Sequence, residues 1–218
     1  MSDSAPDIES PDQPPARTAS RLKQRALLGL TALLVWAPAL VTGYLMEHEA
    51  VNIPTWDDFE RAELIARYHE GTLDWNYLAS PHIEHRILVP RLITLANCAL
   101  GSGDLRNEVW VNFAAMLIIS ICLARLILKT RSRRASSWFL IFLVNLCVFS
   151  LLQYQNLLWA VQTAFFLPLA FLCIALLALH SSLKLPVRFG IALFCALAAT
   201  FSFTHGLIVW PVVLAYLL

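Results

Sequence analysis

The run Val109–Leu128, VWVNFAAMLIISICLARLIL, decides the fold: Arg125 is its sole charge, and no Asp or Glu occurs from Val109 to Leu218. A stretch of about 20 apolar residues is what a helix needs to cross a hydrocarbon layer. Arg125, near the end of the run, can reach the interface by snorkelling. Outward from this run the acids are confined: after Asp12, every Asp and Glu lies between Glu47 and Glu108. An acid-rich segment set among acid-free apolar runs is the pattern of a polytopic membrane protein with one large external loop. Any carboxylate chemistry belongs to that loop.

Composition agrees. The chain has 218 residues, 58% of them hydrophobic and 14% charged, against about 25% charged in soluble domains, and its mean hydropathy is +0.64. Cys98, Cys122, Cys147, Cys173 and Cys195 show no CxxC or other paired spacing, and all but Cys98 fall in apolar runs, where a thiol behaves as a small hydrophobe. Neither a disulfide framework nor a zinc knuckle is indicated.

The expected fold is all-α: a polytopic integral membrane helical bundle of five spans plus the start of a sixth. Ala26–Met46 is the first span, preceded by Arg17, Arg21, Lys23 and Arg25 and by a Pro-, Ser- and Asp-rich segment with too little apolar surface to fold. It reads as an uncleaved signal anchor; a cleaved signal peptide has a shorter apolar core and a small-residue exit, which Tyr44-Leu45-Met46 is not. Val109–Leu128, Trp138–Leu152, Leu157–Leu179 and Val187–Thr204 follow, and another run opens near Leu207. Residues 1–25 thus form a disordered cytoplasmic tail and 26–218 a transmembrane domain that includes the loop 47–108, with short amphipathic helices in it. The last run stops at Leu218 short of a span, which predicts the N-terminal part of a longer protein, with a re-entrant segment as the alternative.

Orientation follows from the basic loops. Lys129, Arg131, Arg133 and Arg134 separate the second and third runs, and Lys184 and Arg188 the fourth and fifth. By the positive-inside rule these loops and the N-terminus are cytoplasmic, so 47–108 is extracytoplasmic, as are the turns at Gln153–Asn156 and Ser202–His205. Gln153, Gln155, Asn156, Gln162 and His205 then fall at one side of the bundle. Unpaired polar groups are costly in hydrocarbon, so they either line a wet pocket beneath the loop or cap helix ends and bridge neighbours.

Two loop clusters carry the candidate chemistry. In Pro54-Thr55-Trp56-Asp57-Asp58-Phe59-Glu60, adjacent carboxylates follow the exit of the first span. Thr55 and Asp58 also match a helix start, and the following segment is amphipathic, with Phe59, Ala62, Ile65 and Ala66 on one side. Asp57 and Asp58 are therefore catalysts, dipole-stabilising residues in a first turn, or both. The second cluster is Ser80-Pro81-His82-Ile83-Glu84-His85-Arg86 with Pro90-Arg91. Its His-x-Glu-His order is not the H-E-x-x-H of zinc proteases and no third ligand is evident, so no metal site is assigned. Arg86 and Arg91 are spaced to bind a phosphate, making an anionic lipid headgroup a reasonable ligand; the alternative is that Glu84 pairs with one of them.

The ordered series Trp56-Asp57-Asp58, Glu84-His85-Arg86 with Pro90-Arg91, Gln155-Asn156-Leu157-Leu158-Trp159 with Gln162, and His205-Gly206 with Trp210-Pro211 resembles uncharacterised bacterial members of the glycosyltransferase C superfamily. The resemblance runs from about Ala26 to the end. It implies an inverting transfer from a polyprenyl-phosphate sugar to a glycan or lipid acceptor at the outer face of the bacterial inner membrane. Asp57 or Asp58 would be the general base; Glu84, His85, Arg86, Arg91, Gln155, Asn156, Gln162 and His205 would bind substrate. Membrane lipid is a further expected partner, nucleic acid is not, and a divalent metal is the one cofactor that adjacent carboxylates would accept. Superfamily members usually have more spans and a C-terminal soluble portion. Two other functions fit the same chain: a transporter or flippase for an anionic lipid or solute, and a non-catalytic membrane assembly partner. Against transport, no acid lies in any span and no internal repeat is evident.

Overall fold

A computed structural model describes residues 16–131 and 135–217, with side chains in 21–131 and 135–216. Arg133 and Arg134 of the first basic loop and residues 1–15 of the tail lie outside the described residues. Helix α1 runs Ala16–Glu49, so 16–25, read as unfolded tail, continue the first span as helix. The acid-rich segment then folds as α2 (Asp58–Glu70), α3 (Trp75–Ala79) and α4 (Leu88–Gly101). After it come α5 (Leu105–Thr130), α6 (Ala135–Val148), α7 (Tyr154–Leu158), α8 (Thr163–Leu179), α9 (Leu185–Thr200) and α10 (Val209–Leu217). No strand occurs among the described residues; an isolated antiparallel bridge joins His82 and His85.

Four helical segments are long and apolar enough to cross a membrane: Arg21–Glu49, Leu105–Thr130, Ala135–Leu158 and Ala160–Leu179. At 1.5 Å per residue the 26 residues of α5 extend about 39 Å. The 16 residues of α9 extend only about 24 Å, less than a hydrocarbon core of about 30 Å, so the run read as a fifth span is a short apolar helix. The third segment also differs from expectation. Its helix breaks at Phe149–Ser150, where the Ser150 hydroxyl accepts from Leu152 N–H and caps a 3-10 turn, and the chain turns again at Trp159 before α8.

Small residues bring the helices together. Ala175, Ala192, Cys195, Ala196 and Ala199 are buried between α8 and α9, where short side chains permit close backbone approach. Ala115, Met116, Ile119, Phe166, Ala170 and Cys173 join α5 to α8. Polar bonds tie α1 to α6: Thr42 Oγ1 donates to Phe149 O at 3.0 Å, and Asn145 Nδ2 donates to Val35 O at 2.7 Å while its Oδ1 accepts from Ser120. The five cysteines are free thiols.

At one end of the bundle the acid-rich segment is fastened to distant chain. Val89 N–H, unpaired within α4 because it lies in the first turn, donates to Phe201 O at the end of α9 at 3.0 Å. Thr204 Oγ1 meets His85 Nδ1 at 2.6 Å and donates to Glu84 O at 3.4 Å. These contacts set α4 and the turn before it against the end of α9.

Candidate functional site

The start of α2 builds the first part of the site. As the Thr55/Asp58 pattern leads one to expect, the Asp58 carboxylate reaches back to Thr55, accepting from its N–H at 3.3 Å and its hydroxyl at 3.4 Å. It accepts further from Trp159 Nε1 at 2.9 Å and Arg61 at 3.3 Å. Asp58 is 3% exposed and fully engaged. Asp57, one residue earlier, makes no cap bond, stays exposed and lines a cavity.

Arg61 carries the network inward to Glu108 on α5. Glu108, 1% exposed, also accepts from Thr94 Oγ1 at 3.0 Å and Asn97 Nδ2 at 3.2 Å. The polar faces of α2, α4 and α5 thus meet around one buried ion pair. In α2 the expected apolar side is not the packed one: Phe59, Ala62 and Ala66 are exposed, while Asp58, Arg61 and Leu64 are buried, because Arg61 is drawn to Glu108 on α5 and Asp58 to Trp159.

A second network starts at Glu60, which pairs with His82 and, at 2.6 Å, with Arg91. Arg91 is buried, and its remaining donors hold the carbonyls of Tyr77, Leu78 and Ser80 at 2.6–3.0 Å. Its guanidinium fastens α3 and the following turn to α4. The Tyr77 ring lies 4.4 Å from Arg67 and 5.2 Å from Arg91. Burial raises the pKa of its phenol, with Glu63 and Glu60 adding and the two arginines opposing.

The tight turn His82–His85 is closed by reciprocal backbone bonds of 2.8 Å. It holds Ile83 at φ 52°, a conformation strained for a β-branched residue and of the kind concentrated at functional sites. The turn presents His82 and His85 to one cavity, and His85 stacks on Phe203 with ring centroids 3.8 Å apart.

Two cavities share a wall. The first, about 220 Å³, is lined by Asp57, Glu60, His82, His85, Arg91 and Gln162, with apolar residues including Phe165 and Phe203. The second, about 530 Å³, opens between Val51, Ile53, Trp56, Leu105, Tyr154 and Leu158. Trp159 borders both, its indole N–H fixed on Asp58 and on Thr55 O at 3.2 Å.

The structure therefore separates the sequence candidates. Asp57, His85, Arg91 and Gln162 share the first cavity, and Gln155 and Asp58 line the second. Asn156 and Glu84 are exposed and line neither. His205 meets Phe165 O at 3.2 Å outside both cavities. Arg86 is exposed, and since Arg91 is committed to Glu60 and three carbonyls, the two arginines do not form a clamp with open donors. Nor do the adjacent carboxylates fit a divalent cation: Asp58 is occupied by Arg61, Thr55 and Trp159, and no group of three or more His, Cys, Asp or Glu side chains converges among the described residues.

Glu60, Arg61, His82, Glu108 and Trp159 shape the site without having been singled out for it. Arg61 stands three residues from Asp58, a spacing readable as an ion pair on a helix. Likewise Arg91, Thr94 and Asn97 recur every three residues along an otherwise apolar α4, which is the signature of one polar stripe. Of the two carboxylates lining the first cavity, Glu60 is ion-paired and Asp57 has no ion-pair partner among the described residues. Comparison with protein-family models, with curated proteins and with solved structures finds no match to the chain.

Proposed function

We propose that the chain is an integral membrane glycosyltransferase acting at the extracytoplasmic face of a bacterial inner membrane. In this reading the four membrane-length segments are completed within the membrane by the shorter apolar helices α9 and α10, the N-terminus is cytoplasmic, and the segment 47–108 lies outside. The donor is a polyprenyl-phosphate sugar and the acceptor an envelope glycan or lipid. The observation that carries the proposal is the division of labour in the acidic pair: Asp58 is locked while exposed Asp57 lines a cavity together with His82, His85 and Gln162.

Asp57 is the general base. It takes the proton of the acceptor hydroxyl as that oxygen bonds to the sugar's anomeric carbon from the face opposite the phosphate. The anomeric carbon–oxygen bond to the phosphate breaks, and its electron pair leaves with the polyprenyl phosphate. His82 and His85 supply hydrogen bonds to the departing phosphate, and Asp58 acts by holding the turn that carries Asp57. Such a base is worth about 10²–10⁴ in rate.

The test is Asp57→Asn in full-length protein, with glycolipid or surface polysaccharide as the readout. Product formation falls by about 10²–10⁴ while folding is unchanged. Wild-type product from this variant would remove the catalytic claim. Orientation is checked with a cysteine at exposed Asn76, which reacts with an impermeant reagent on intact cells.

A further inference from the structure

Helix α4 is inside out for a helix bathed in water. Its buried residues are Pro90, Arg91, Thr94 and Asn97, three of them polar, and their partners are the ion-pair networks of α2 and α5. Its opposite face carries Leu92, Ala96, Ala99 and Leu100, all exposed, with Leu92 at 48% and Leu100 at 90%. The spacing of four and of seven or eight residues puts these side chains on one stripe. An aqueous surface would turn that stripe inward; here the inward side is already taken by polar partners.

Position identifies what lies outside. The first turn of α4 is bonded to Phe201 at the end of α9, and its last turn leads through Gly101–Asp104 into the apolar helix α5. Its last turn is thus held where the membrane-length helix α5 begins, and its first turn at the end of the shorter apolar helix α9. The helix that carries the exposed stripe is thereby set against the apolar helices α5 and α8. We infer that α4 lies in the membrane interface with Leu92, Ala96 and Leu100 against lipid acyl chains, so that the acid-rich segment is seated in the bilayer rather than projecting from it. This does not depend on the sugar-transfer reading, which Asp57→Asn tests separately.

The experiment places nitroxide labels at Leu92→Cys, Ala96→Cys and Leu100→Cys, with Asn76→Cys as the aqueous reference, in a chain whose native cysteines are replaced by alanine and which is reconstituted in phosphatidylglycerol/phosphatidylethanolamine vesicles. Collision with oxygen and with a neutral nickel chelate separates the environments. The expected result at all three α4 sites is high oxygen and low nickel accessibility, with a ratio several-fold above that at Asn76. High nickel accessibility at Leu92 and Leu100 overturns the inference by showing water. Low accessibility to both probes also overturns it, by showing a protein surface, whether a second copy or another chain. If the cysteine-free chain does not fold, a diazirine amino acid at Leu92 and Leu100 in the native background decides instead: crosslinks to lipid support the inference, and crosslinks to protein or quenching by water sink it.

Discussion

Removing the carboxylate of Glu108 tests the buried ion pair on which the polar faces of α2, α4 and α5 converge. Glu108→Leu strips Arg61 of its principal partner, leaving a guanidinium whose side chain is 9% exposed with only the 3.3 Å contact to Asp58. Taking one partner from a buried ion pair costs about 3–5 kcal/mol, because the remaining charge is left in a medium of low polarity. Thr94 loses its acceptor as well, adding roughly 1 kcal/mol, whereas Asn97 keeps Asp104 O at 2.9 Å. About 4 kcal/mol corresponds to a loss of nearly a thousandfold in the folding equilibrium. The double variant Arg61→Leu/Glu108→Leu removes the stranded charge, and Asp58 retains Thr55 and Trp159. It should therefore recover about 2–3 kcal/mol relative to Glu108→Leu alone. Equilibrium unfolding in mixed micelles, titrated with SDS and followed by circular dichroism, measures each variant. A double variant destabilised by the sum of the two single effects would refute the reasoning.

Gly206→Ala should prevent folding, since a Cβ there would lie 2.0 Å from Ala199 O, whereas Gly190→Ala, with nothing within 4 Å, should stabilise by about 0.4–1 kcal/mol in the same assay. Tyr77→Phe should be neutral or stabilising, because the Tyr77 hydroxyl is buried with no hydrogen-bond partner among the described residues. The raised pKa of Tyr77 means that its contribution is complete below about pH 10. Above that, stability falls as pH rises toward the folded-state pKa, because the unfolded chain loses the proton first. The phenylalanine variant should lack this alkaline loss when unfolding is measured across that range.

Helix existence was legible where hydropathy alone decides it. The runs around Val109–Leu128 and Leu157–Leu179 became α5 and α8, because uncharged apolar residues of that length have no competing reading. A turn between Leu152 and Leu157 was legible from its uncharged polar residues, but its position was not: the chain breaks at Ser150 and Trp159, which depend on a serine cap and an indole bond to another part of the chain. The site divides the same way. The Thr55/Asp58 start is local in sequence and was readable. The pairing of Arg61 with Glu108 spans 47 residues and that of His85 with Thr204 spans 119, so no spacing rule could announce either. Nor could sequence rank Asp57 against Asp58, since what separates them is Trp159, 101 residues from Asp58.

The stitch from Val89 to Phe201, doubled by the contacts of Thr204 with His85 and Glu84, has a mechanical consequence. It joins the floor of the acid-rich segment to the far end of the chain like a clasp, so this segment cannot swing upward as a hinged cover without parting backbone bonds. Access to the smaller chamber therefore has to be found with this segment in place. Thr204→Val would release the His85 and Glu84 half of the clasp while leaving the Val89–Phe201 bond in place.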